Sequence, residues 1–120
     1  MKTVKTSELT GRALDWAVAR ADGRGVRINE LGYVFVCDNR SIGVYSPSTD
    51  WAKCGELIDK YNIELTNELL DCVLIWSANC NYVSDDYLDG QTPQIAICRA
   101  VVAARWGNEV DIPDELVEGV

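Results

Sequence analysis

A chain with no histidine must take any general acid, base or nucleophile from carboxylate, lysine, tyrosine or cysteine side chains. Carboxylates are plentiful, and Asp71, Asp85, Asp86 and Asp89 lie near enough in sequence to be pictured around Mg²⁺. Nothing in their spacing fixes the octahedral oxygen geometry that Mg²⁺ demands, and a run of acids ordinarily faces water. The five cysteines, Cys37, Cys54, Cys72, Cys80 and Cys98, are odd in number and no two are closer than eight positions. They lack the close pairing of a zinc or redox motif. A reactive thiol needs an electropositive, partly exposed setting, whereas most of these sit among apolar residues and read as packed small hydrophobes. No glycine-rich phosphate loop with its lysine is present, and no dinucleotide fingerprint. The sequence therefore predicts no enzyme, no cofactor and no metal site.

One stretch does gather groups suited to a ligand. An apolar run ends at Tyr45 and a helical pattern begins just after Asp50, with Ser46-Pro47-Ser48-Thr49 between them. Pro47 keeps Ser46 out of the α region, and Ser48, Thr49 and Asp50 are three successive candidates for the helix cap. A helix entrance presents free N–H groups and the positive end of a dipole. Tyr45, Ser48, Thr49, Asp50 and Trp51, with a cation such as Arg40 or Arg99, are thus the candidate residues for a small anionic or nucleotide-derived ligand. Asp50 complicates this, because its carboxylate already occupies part of the favourable field unless it caps the helix or accepts a ligand hydroxyl. The same residues also make an ordinary cap with no ligand, which is the simpler reading.

The formal charge of -8 is unevenly placed: residues 1–60 hold nine basic and eight acidic side chains, residues 61–120 two basic and eleven acidic. An acidic second half repels phosphate backbones, so direct nucleic-acid binding is not expected. It leaves open attraction to a basic partner, including a protein surface that normally receives DNA, beside the plainer reading that the charge maintains solubility. No apolar stretch reaches the roughly 18 residues that would raise a membrane span. The basic start, Met1-Lys2-Thr3-Val4-Lys5, runs into Glu8, Arg12 and Asp15, so no secretory signal and a cytoplasmic setting are expected.

The elements that would position these groups fit one domain over residues 1–120. A first helix is marked by Leu9, Ala13, Leu14, Ala17 and Val18 against a polar strip at Glu8, Arg12 and Asp15, with Ser7 or Thr10 as cap and Gly23 as stop. Val26–Ile28 and Tyr33–Cys37 read as strands, and Asp38-Asn39-Arg40-Ser41 as the turn of a hairpin into residues 42–45. The second helix covers Asp50 to Tyr61, with Trp51, Cys54, Ile58 and Tyr61 inward. Residues 62–66 and the acidic 67–71 read as a lead into Cys72-Val73-Leu74-Ile75-Trp76, a central strand buried on both faces. Residues 77–83 read as an edge strand reached through a turn, and 85–90 as loop. Thr92-Pro93 opens a third helix, apolar nearly all round, that Gly107 closes. So apolar a helix in so small a chain points to a homodimer. The tail reads as loop and a short helical turn. The predicted class is α/β: a small single-domain α-β-α sandwich with a short mixed sheet of three to five strands and three main helices.

Three segments, residues 9–19 around Gly11-Arg12-Ala13-Leu14-Asp15-Trp16, residues 45–52 around Tyr45-Ser46-Pro47-Ser48-Thr49-Asp50-Trp51, and residues 90–100 around Gln91-Thr92-Pro93, resemble the NinX-like family of small bacteriophage and prophage proteins. The resemblance implies a phage origin, a host-cytoplasm setting and an α-β-α sandwich, and it supplies no catalytic residues to carry over. The leading expectation is a phage accessory protein that binds a host or phage protein through its acidic half or an apolar face. The alternative is the anionic or nucleotide-derived ligand at the entrance of the second helix.

Overall fold

Helix α3 (Pro93–Trp106) is the member on which the other elements pack. Thr92 Oγ1 accepts a hydrogen bond from the Ile95 N–H at 3.2 Å, Pro93 takes the first helical position, and Gly107 closes the helix at φ +81°. Ala96, Ile97, Cys98, Ala100, Val101 and Val102 are all buried. This computed structural model describes residues 1–80 and 87–117.

Helices α1 (Gly11–Ala21) and α2 (Trp51–Tyr61) lie against α3, as does a sheet of β5 (Ile63–Leu70), β6 (Val73–Cys80) and β7 (Leu88–Gly90). Gly90 lets that sheet approach closely, since a Cβ there would lie 2.6 Å from the Ala96 nitrogen. A second sheet, β2 (Val26–Ile28), β3 (Val34–Cys37) and β4 (Ile42–Val44), is an antiparallel meander beside α1. The third pairs β1 (Lys2–Lys5) antiparallel with β8 (Glu109–Ile112), and a short α4 (Asp114–Val117) follows. Leu9, Leu14, Val18, Val36, Leu57, Ile97, Val101 and Ile112 belong to one buried apolar cluster.

The three main helices stand where the helical period puts them, within an α/β fold. The single mixed sheet is not what forms: the strands divide into three separate antiparallel sheets. Two of the corrections share a cause, which is that strand pairing between distant residues leaves little local trace. Lys2–Lys5 finds its partner at the other end of the chain. Residues 63–70 form a full strand in place of the expected acidic lead.

Cys72–Trp76 is not the expected central strand buried on both faces. Asp71 and Cys72 instead form the turn of a β5–β6 hairpin, both at positive φ (49° and 66°), the left-handed pair that suits a tight hairpin. Its end stands away from the body, with Val73 57% and Leu69 69% exposed. A continuous apolar run has the same appearance in a buried strand and in a projecting arm. No turn interrupts residues 77–80, which continue β6, and residues 88–90 are strand. The remainder of the expected edge strand and the acids Asp85 and Asp86 lie outside the described residues. Trp51, expected inward, is 52% exposed at the first position of α2. The apolar face of α3 is covered by helices and sheet of the same chain, which removes the reason for expecting a homodimer.

Candidate functional site

The segment from Tyr45 to Trp51 is a joint between β4 and α2. The Tyr45 N–H donates to the Val34 carbonyl, and the N–H groups of Thr49 and Asp50 both donate to the Ser46 carbonyl, at 3.0 and 2.9 Å. Asp50 caps α2 by accepting from the Ala52 N–H at 3.0 Å. Tyr45 and Ser48 are buried and Pro47 is among the fully buried residues. The Ser48 N–H donates to Asp15 Oδ1 at 2.9 Å, so a carboxylate from α1 takes a donor that an outside anion would use. Burial pushes the Asp15 carboxyl up to about 6, against the lowering effect of its Ser48 hydrogen bonds.

Arg40 lies across from this joint in a charged cluster. Its Nη1 is 3.2 Å from Asp22, which also accepts from Lys60 Nζ at 2.5 Å and from the Tyr61 hydroxyl at 2.6 Å. Burial works to raise the Asp22 carboxyl, but the hydrogen bonds and charges of Lys60, Tyr61 and Arg40 outweigh it and hold Asp22 below the ordinary carboxylate value. Arg24 donates to both oxygens of Asp38 and to Ser41 Oγ, and its guanidinium lies 5.5 Å from the centre of the Tyr45 ring. The Arg24 hydrogen bonds, with the N–H groups of Gly25, Arg40 and Ser41, hold the Asp38 carboxyl far below its usual range. Arg24, Arg40, Ser41, Lys53, Glu56 and Lys60 together line an open cleft of about 370 Å³ on the flank of α2.

Arg99 is engaged elsewhere. Its Nε donates to the Leu9 carbonyl at 2.9 Å and its Nη1 to the Asp89 carbonyl at 2.7 Å, tying the start of α1 to β7. The structure thus brings Tyr45, Ser48, Thr49, Asp50 and Trp51 together at one joint and sets Arg40 in the adjoining cleft. Cys54, Cys80 and Cys98 are buried, while Cys37 and Cys72 are exposed. Its hydrogen bond with Cys54, together with burial, pushes the Cys98 thiol well up, away from the reactive thiolate.

The feature that reasoning from residue types missed is the end of the β5–β6 hairpin. Leu69 pairs with Leu74 and Leu70 with Val73 across the turn, and all four side chains are exposed. The signal was in the sequence: two apolar pairs placed symmetrically about the two residues Asp71-Cys72. Taking a side chain of this kind from full exposure to full burial is worth about 1.5–3 kcal/mol, of which the share belonging to the still exposed surface is available to a partner here.

Among the described residues no three His, Cys, Asp or Glu side chains group as a metal cage, and no helix is long and apolar enough to cross a membrane. No curated protein matches the chain. The family described as Bacteriophage P22, NinX matches residues 5–105, a span that takes in α1, α2, the hairpin and nearly all of α3. This chain belongs to the NinX family of phage proteins.

Proposed function

We propose that this protein is a phage accessory protein that acts in the host cytoplasm by binding a host or phage protein, and that residues 1–120 work as one domain. The exposed apolar end of the β5–β6 hairpin carries the reading. Leu69 and Leu74 lie on one face of the tip and Leu70 and Val73 on the other, and exposed apolar side chains gathered at one end of a hairpin in this way mark interaction sites. Partner binding is tested by placing a photo-crosslinking residue at position 69, or at the exposed loop residue Glu30 as reference, in infected cells. A discrete adduct from position 69 and none from position 30 is the expected result. No adduct from position 69, or the same adducts from both positions, counts against it.

A second reading, a small anionic or nucleotide-derived ligand at the entrance of the second helix, has support in the cleft on the flank of α2. Four cations, Arg24, Arg40, Lys53 and Lys60, face it in a chain whose formal charge is -8. Asp22 and Asp38 already pair with three of them, which ranks this reading second. Calorimetric titration with phosphorylated and cyclic nucleotides, comparing wild type with Arg40→Ala and Tyr45→Ala, tests it. Silence across the panel removes it.

A further inference from the structure

We infer that the outer edge of β5 receives an extended, basic segment of the partner protein as an added antiparallel strand. The inference rests on the protein-binding reading above and names the partner's chemistry. β5 stands at the edge of its sheet, whose order is β5-β6-β7, and is paired with β6 without interruption from Ile63↔Cys80 to Leu70↔Val73. Among the described residues no other strand pairs with β5. At about 3.4 Å per residue, the eight-residue strand offers an edge of roughly 27 Å of main-chain donors and acceptors. Proteins ordinarily blunt such edges with charged side chains, lysine above all, with proline, a bulge or a very short strand. This one has no proline and no bulge, and its only charges are the two carboxylates Glu64 and Glu68. An open edge of this length is the template used in strand addition.

Charge decides what can occupy it. Leu65, Asn67 and Leu69 share one face with Ala78, Trp76 and Leu74, while Glu64, Thr66, Glu68 and Leu70 share the other with Asn79, Ser77, Ile75 and Val73. Glu64, Glu68 and Asp71 lie on the hairpin, and no lysine or arginine occurs from Tyr61 to Cys98. A second copy paired edge to edge about a two-fold axis must match residues of the same face. Centred on Thr66, this sets Glu64 opposite Glu68 of the other copy; centred on Asn67, it sets them on the diagonal. Both of these registers bring four carboxylates together with no cation between them, and like charges opposed across strands are unfavourable. A strand with Lys or Arg opposite Glu64 and Glu68, and apolar residues opposite Leu65 and Leu69, satisfies both faces at once. On such a strand the two cations are four positions apart.

The test uses the full chain and synthetic probes. The first is a blocked peptide, Val-Leu-Lys-Thr-Thr-Val-Lys. The second has Glu for both Lys, and the third is the lysine peptide N-methylated at alternate amides. Titration followed by amide NMR is expected to shift the β5 resonances with the lysine peptide, and to give little response with the other two. Glu68→Lys, at an exposed position, is expected to weaken the lysine peptide by roughly tenfold, most clearly at low salt. Equal binding of the lysine and glutamate peptides, undiminished binding of the N-methylated one, shifts away from β5, or no binding at about 1 mM, a weak-affinity limit, each overturns the inference. If infected-cell crosslinking finds a partner whose contact survives Glu68→Lys, the edge assignment fails while protein binding stands. If no partner is found, the underlying reading fails whatever the peptides do.

Discussion

Replacing Asp15 with asparagine should stabilise this protein at neutral pH. Asp15 is 5% exposed on α1 and its carboxylate meets the Ser48 N–H. Burial raises its folded value from 3.8 to about 6, and at about 1.36 kcal/mol per pH unit the ionised form costs the fold on the order of 3 kcal/mol at pH 7. The sign follows from proton counting: between these two values the folded chain holds a proton that the unfolded chain has lost. This group's contribution is therefore most favourable below about pH 4 and declines as pH rises through about 6. The asparagine amide would still offer a carbonyl to Ser48 and carry no charge. Asp15→Asn is expected to gain about 1–3 kcal/mol at pH 7, the lower figure allowing for imperfect fit of the amide, and little at pH 4. Urea unfolding at pH 4, 5, 6 and 7 measures both. A variant less stable than wild type at pH 7, with the pH dependence between 4 and 6 unchanged, would refute the argument and show that the charge itself holds the joint.

Asp50→Ala should lose about 0.5–2 kcal/mol, the value of an N-cap, in urea unfolding, because Asp50 accepts from the Ala52 N–H. Gly90→Ala should cost about 1–3 kcal/mol, since its Cβ would meet the α3 backbone at Ala96. Thermal melting with and without reductant should coincide, because all five thiols are free. Sedimentation at tens of micromolar, a concentration that populates weak dimers, should show a monomer, because α3 is covered within the chain and the free β5 edge carries unneutralised carboxylates.

The helices were legible because each announces itself locally. Thr92-Pro93 at the start of α3, Asp50 before α2 and the apolar face of α1 are properties of neighbouring residues. Thr10 shows the limit of that logic, since it precedes α1 yet makes no side-chain cap bond. The sheets were poorly legible because their partners are distant: Lys2 pairs with Ile112, and nothing in either segment names the other. At the candidate site, the cap at Asp50 was readable but the burial of Tyr45, Pro47 and Ser48 was not. Asp15, outward by period, is turned to use by Ser48, a contact between residues 33 positions apart. The hairpin end escaped because exposure of an apolar run is decided by what lies above it.

The claim that this protein works through its hairpin end is tested most directly by the double substitution Leu69→Ser and Leu74→Ser, a cross-strand pair exposed to solvent. Stability and partner crosslinking would be measured on the same variant, with the photo-crosslinker at position 70. The two changes together, with the loss of their cross-strand contact, are expected to move stability by about 1–2 kcal/mol at most, while the adduct formed in infected cells disappears. An adduct of undiminished yield from the folded variant would contradict the account.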